Sequence, residues 1–320
     1  MDFKRIILIG YKEFQDHVTS RKFLALLFLM LTITGIYVFK NIDSYFEDLA
    51  KYNEFLGYSL FGLPKPINVF DGIRSGVAGS SIFGSIIAIA LGFDLITKER
   101  ETGSIKAILS VPVYRDEVIN GKALGGIMAI ILAVTIVFVL TLGIMLIYSI
   151  VPGLDELGFI FVFWLVTILY LSGIFVMSIM VSAFSKTSGI SFIYSLLLLL
   201  ILTNVIFSTG SFAVDVIMGP VPSINSDDSA DYYQKSTELT NIVYYLSIKT
   251  NYHKTATALT TPKQTLFLTE YDGETEFDSG RDPTLPDMLG RIWGYILFLI
   301  AYPIAFFGIA YVKFMRMDLR

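Results

Sequence analysis

Cysteine is absent from all 320 residues. That excludes disulfides, thiolate metal sites and thiol nucleophiles. Charge is scarce as well. Asp, Glu, Lys and Arg supply 16% of the chain, against about 25% in a soluble domain. No G-x-x-x-x-G-K-[ST] occurs. The sole Gly-Lys pair, Gly121-Lys122, is followed by Ala123 and lacks the earlier glycine, so the chain carries no phosphate cradle of its own. No cofactor and no nucleic-acid partner is expected.

What is present is apolar. Hydrophobic residues make up 54% of the sequence, and the mean hydropathy is +0.66. Several runs reach the roughly 20 residues that cross a bilayer core. The expected fold is an all-α membrane protein with six transmembrane helices, over 23–39, 77–93, 124–150, 157–184, 189–207 and 292–312. Pro303 is expected to kink the last.

Before the first span, residues 1–22 read as an amphipathic interfacial helix. Phe3, Ile6, Ile7, Tyr11, Phe14 and Val18 recur at helical spacing, and most of the charge falls on the other face. Acidic residues among the basic ones, and no small-residue cleavage site, set this segment apart from a signal peptide. The remainder divides into spans one to five (23–207), an external loop region (208–291), and the sixth span with its tail (292–320). In the second span Gly76, Ser80, Gly84, Ala88 and Gly92 recur every four residues. That places small side chains on one face, suited to close helix packing within the chain or between subunits.

Six spans put both termini on one side. That side carries 14 basic and 9 acidic residues, leaving 10 and 19 for the other. Basic residues in short loops mark the cytoplasm. The expectation is a multi-pass cell-membrane protein with cytoplasmic termini and a cytoplasmic 97–123 loop. The two histidines, His17 and His253, then lie on opposite sides and cannot share a metal. The acidic run Glu270–Asp282 lacks EF-hand spacing and reads as a solvated external loop.

The spans carry essentially no ionisable residue away from their ends. That argues against a proton-coupled carrier, although a sodium site built from carbonyls escapes the test. It argues equally against an intramembrane hydrolase. Thr141, Tyr170, Ser178, Tyr194 and Asn204 read as hydrogen-bond partners between helices. In the external region Asn241–Leu259 bears a weak helical stripe, consistent with short re-entrant or surface helices forming a lid.

The charged stretch TKERETGSIKAILSVPVYRDEVINGKA, residues 97–123, interrupts this apolar background. Span two extends as helix to Glu101, and Gly103 breaks it. Residues 104–110 form a short helix with Ile105, Ile108 and Leu109 on one face, ended by Pro112. Asp116 and Glu117 sit near the positive N-terminus of the next span. A short crosswise helix of this kind suits docking, or serves as a plain interfacial linker.

Together Glu99, Glu101, Gly103-Ser104, Ile108-Leu109, Pro112, Arg115 and Gly121-Lys122 resemble the characteristic segment of ABC-2 type export permeases. The N-terminal helix with Lys12-Glu13 leading into Ser-Arg-Lys-Phe is also similar, as are six spans with a large external segment before the last. The resemblance covers nearly the whole chain; the long acidic external loop departs from it. It implies a permease subunit, not itself an enzyme, that moves substrate by ATP hydrolysis in a separate cytoplasmic ABC ATPase, where the ATP is bound. It also implies a second permease subunit, identical or different, within the lipid bilayer. The 97–123 loop would supply the coupling helix. Ile105, Ile108 and Leu109 would dock, while Glu99, Arg100, Glu101 and Arg115 set charge pairing. Alternatives from other classes are a membrane scaffold or sensor with a ligand-binding external loop, and an ion-coupled secondary transporter.

Overall fold

The computed structural model describes residues 3–54, 63–77, 83–103, 114–219, 228–270 and 282–317. Among these residues the chain is helical and contains no strand. In chain order the helices are α1 (Phe3–Val18), α2 (Arg21–Glu54), α3 (Asp71–Val77), α4 (Phe83–Gly92), α5 (Thr97–Glu101), α6 (Arg115–Ile147), α7 (Leu154–Phe184), α8 (Ser188–Leu200), α9 (Ile206–Met218), α10 (Asp228–Tyr245), α11 (Ile248–Thr260), α12 (Pro262–Glu270) and α13 (Leu285–Met315). Five segments among the described residues are long and apolar enough to cross a membrane: α2, α6, α7, α8 with the turn that follows it, and α13.

Acidic residues start several of these helices, as the dipole favours. Glu117 accepts the Tyr114 N–H (3.2 Å), Glu156 the Gly153 N–H (2.7 Å) and Asp287 the Thr284 N–H (3.2 Å). Each satisfies a donor that a helix start leaves free. Thr187 does the same for α8, accepting from the Ile190 N–H (3.4 Å).

Helix α7 is the central post. It packs against α4, α6, α8, α11 and α13, and Phe163, Ile174 and Phe175 are fully buried. At one end, called here the terminal end, α1 packs along the start of α6. There Arg115 donates to the carbonyl of Met317 (2.8 Å), so the last turn of α13 meets them. The opposite end is the far end.

The expected boundaries shift in several places. Helix α2 continues 15 residues past the expected end of the first span at Phe39, because Lys40–Glu54 contains neither glycine nor proline and has an i,i+3 pair, Asp48–Lys51 at 3.9 Å. The fifth helical run also continues beyond 207, to Met218. It does so through a π-helical turn at Ile201–Val205. Helix α13 runs on through Pro303.

The second span differs most from expectation. A Cβ on Gly84 would lie 2.9 Å from the Cα of Val77. Residues seven apart on one continuous helix are separated by about 10 Å along the axis, so α3 and α4 are not turns of a single helix. Their partners also change along the path. Gly76 lies against Thr34 of α2, Gly84 against Val77, and Gly92 against Phe175 of α7. Ala88 is buried, and Ser80 is outside the described residues. The four-residue repeat is therefore not one helix face meeting one neighbour.

The segment between the fifth and last spans also departs from a wholly external loop. Helices α10 and α11 form a hairpin that turns at Leu246 and Ser247. Its turn reaches the mid-length of two spans: Tyr245 accepts from Tyr302 of α13 through its carbonyl (3.4 Å), and Ile248 adjoins Gly173 of α7. Tyr252 is fully buried, its ring stacked on Tyr170 at 4.4 Å. Of the apolar stripe expected over 241–259, Tyr252 and Leu259 face the bundle core, while Leu246 at the turn is exposed. His253 has its Nδ1 accept from Arg74 (2.6 Å). Arg74 in turn holds Asp71 (2.5 and 2.6 Å).

Of the five span hydroxyls and amides singled out above, two bridge helices. Tyr170 pairs with Ser85 (2.8 Å), and Ser178 donates to the Ile89 carbonyl (3.1 Å). Thr141 bonds its own helix and Asn204 its neighbour Thr203. Tyr194 is exposed.

Candidate functional site

The described parts of the charged interval 97–123 lie at the terminal end and are tied to several elements there. Helix α4 stops at Gly92, and residues 93–96 turn before α5 begins. This turn replaces the expected unbroken helix to Glu101. Ser182 of α7 explains how it is tolerated: its Oγ accepts the N–H groups of Ile96 (3.2 Å) and Thr97 (3.1 Å), which no preceding helical turn engages. Thr97 is itself buried and its hydroxyl meets Ser188 at 3.1 Å. The expected break at Gly103 is present as a left-handed residue, φ 70°, where a side chain would be strained.

Each charged residue singled out for this loop has a definite position. Glu99 faces Lys122 of α6 (2.7 Å), which also holds Glu13 of α1 (2.9 Å). The Lys122 side chain is only 5% exposed, so this is a buried cation held between two carboxylates from different helices. Arg100 donates to the carbonyl of Ser185 (2.7 Å) and to the sulfur of Met317 (2.6 Å). Glu101 accepts both the Ser188 N–H (2.9 Å) and its hydroxyl (2.7 Å). These two bonds hold the Glu101 carboxyl below its ordinary pKa, and they place an anion at the α8 N-terminus, where the dipole favours one. Arg115 reaches the carbonyls of Met315 and Met317. Ile105, Ile108, Leu109 and Pro112 are outside the described residues.

The N-terminal helix belongs to the same site. Gly10, Gly121 and Gly125 let α1 and α6 approach closely. A Cβ on Gly125 would meet the Gly10 carbonyl oxygen at 2.7 Å, and one on Gly121 would meet Ile9 at 2.5 Å. Arg5 lies 3.8 Å from the buried Glu117. Lys22 holds Asp94 (3.1 Å) and sits 4.4 Å over the Phe93 ring. The turn before α5 is thereby joined to the base of α2.

Lys122 and Glu13 were visible in the sequence as parts of motifs, but their meeting was not. Ser182, Ser185, Ser188 and Met317 carried no signal beyond being polar or terminal. The GxxxG spacing of Gly121 and Gly125 is the one pattern that marks the α1 contact in advance.

A helical chain with five membrane-length segments and a dense polar knot at one end is a multi-pass membrane protein. The chain belongs to the ABC-2 family: the family described as "ABC-2 family transporter protein" matches residues 7–319. No curated protein matches it.

Proposed function

We propose that this chain is the permease subunit of an ATP-driven ABC exporter, docking a separate cytoplasmic ATPase through residues 97–123. The terminal end is then cytoplasmic, as the charge bias of the short segments indicates, and α3–α4 with their flanking residues make an interrupted second crossing of six. The ATPase binds and hydrolyses ATP, and a second permease subunit, identical or different, completes the transporter.

The observation that supports this most is the Glu13–Lys122–Glu99 cluster. A loop that receives a mechanical input must be stiffly joined to the elements it moves. Here one lysine joins the base of the loop to α1 and α6, while Glu101 and Arg100 join it to the α7–α8 turn and to the end of α13. Ile105, Ile108 and Leu109 are assigned to the docked apolar face. Glu99, Arg100, Glu101 and Arg115 transmit its displacement by holding it to the bundle. Motion of the ATPase then moves the terminal end as one body, a hinge or shear transition, along α4 and α7.

The test is co-purification with a cytoplasmic ABC ATPase and transport in reconstituted vesicles. Ile108→Asp is expected to abolish co-purification and transport while the protein inserts and folds normally. Transport that persists without any ATPase, or unchanged transport in Ile108→Asp, overturns the assignment.

A further inference from the structure

At the far end, a cavity of about 390 Å³ opens between the extension of α2, residues 63–71 and the start of α12. Its charged lining is Lys51, Lys65 and Lys263 with Asp48 and Asp71. The carboxylates are already engaged. Asp71 is gripped by Arg74 and accepts from Thr260 (3.0 Å), and Asp48 lies 3.9 Å from Lys51. Lys65 and Lys263, almost two hundred residues apart, converge on the two oxygens of one further carboxylate, Asp282, at 3.1 and 2.6 Å.

The exposure of the three partners is uneven. The lysine side chains are 32% and 20% exposed, whereas Asp282 is 57% exposed. The cations are fixed in the wall of the cavity and the anion caps them from outside. An exposed carboxylate in such a bridge contributes little stability, so a better anion displaces it readily. The height of the cavity is marked by rings. Tyr45 lines it, and Tyr45, Phe46, Tyr148 and Phe39 form a chain of ring contacts of 5.7 to 6.3 Å. Tyrosines such as Tyr45 and Tyr148 are enriched at the headgroup level of a bilayer.

We propose that this cavity is an anion site that takes a phosphate group between Lys65 and Lys263, with Asp282 as the resident carboxylate that the ligand displaces. The phosphate arrives on an anionic lipid headgroup or as a free ion, and both present the same oxygens to the two ammonium groups. The site is independent of ATPase docking, and either assignment stands if the other fails.

The experiment uses the full chain in neutral detergent, with three probes: phosphatidylglycerol, diacylglycerol (the same tails without phosphate) and inorganic phosphate. Native mass spectrometry reads lipid retention, and thermal unfolding reads the free ion. Phosphatidylglycerol is expected to be retained over diacylglycerol. Lys65→Gln with Lys263→Gln lowers that retention about tenfold, the loss of one charge-assisted contact or more. Asp282→Asn raises it, because the competitor is gone. A phosphate-dependent rise in Tm with the same lysine dependence, without selective lipid retention, assigns the site to the free ion and also supports the proposal. Retention equal for both lipids with no phosphate effect overturns it. So does an Asp282→Asn variant that binds no better than the parent, a result that decides the matter even if the double lysine variant fails to fold.

Discussion

Lys122 shows how much one side chain carries here. It is a cation inside the first turns of a very apolar helix, tolerable only because Glu13 and Glu99 both reach it. Lys122→Met removes the cation that two carboxylates share in a desolvated place and is expected to lower stability by about 3–5 kcal/mol. The triple replacement with Glu13→Leu and Glu99→Leu restores most of that stability, since a well-packed apolar trio replaces a buried ion cluster at little cost. It does not restore transport driven by the ATPase. Thermal unfolding beside a vesicle transport assay separates the two effects. Restored transport in the triple variant would remove the cluster from the coupling path.

His253 gives a second residue-scale prediction. Partial desolvation, then the adjacent Arg74 guanidinium, lower its imidazole to about 4. Asp71 beside Arg74 opposes this, and Lys249 and Lys254 on its own helix reinforce it. The unfolded imidazole titrates at about 6.5. Between those values the unfolded chain binds the extra proton, so stability present above pH 6.5 declines as pH falls towards 4. His253→Gln should flatten that part of the stability–pH curve, measured as Tm at pH 7 and pH 4.5. An unchanged slope would mean that His253 is not the group behind this part of the curve.

At the scale of elements, the apolar runs located five membrane-length segments but their limits poorly. Composition revealed α6, α7 and α13 directly, because each is a long apolar run that must satisfy its backbone within itself. It missed the helical continuation of α2, since a polar helix standing beyond the membrane has the same composition as a loop. It also read Gly76 to Gly92 as one helix face, since a run of Gly, Ser, Ala and Ile gives the same hydropathy whether its helix is whole or broken. Helix α11 was harder still. Its mixed sequence, IKTNYHKTATALT, carries little apolar signal, yet Asn251, Thr255 and Thr260 are buried with it. Tyr252 is its anchor. Tyr252→Ala should destabilise by about 3–5 kcal/mol, as for other large buried aromatics. Tyr252→Phe loses only the 3.1 Å contact with Thr167, about 1 kcal/mol. Denaturation of the two variants should give that order, and equal small losses would place the ring outside the core.

Over the whole molecule, the terminal end acts as a single block while the far end holds the hairpin, the Arg74 network and the cavity. The charged motif at 97–123 was legible as a family pattern. The network behind it was not, because Ser182, Ser188 and Met317 meet it only after the chain has folded back across the bundle. The integrity of the block depends on α1, which approaches α6 most closely where Gly10, Gly121 and Gly125 meet. Gly125→Ala places a methyl group against Glu13 and the Gly10 backbone and is expected to loosen α1 at a cost of about 1–3 kcal/mol. Gly143→Ala, on the same helix with open space around it, should be neutral or mildly stabilising. Hydrogen exchange in α1 should rise for the first variant and stay fixed for the second. Matching exchange in both would show that close packing does not hold α1.

The π-helical turn at Ile201–Val205 carries one further consequence. A π-turn accommodates one residue more than an α-helix would hold in the same length, and one residue corresponds to about 100° of rotation. Every side chain of α9 is therefore turned by that angle relative to α8. Gly210, on the turned segment, meets Val243 of the hairpin. In evolutionary terms the turn is a stored insertion. Loss of a single residue near Thr203 would re-index the whole distal half of the helix, leaving its hydropathy unchanged and pointing a different face at the hairpin.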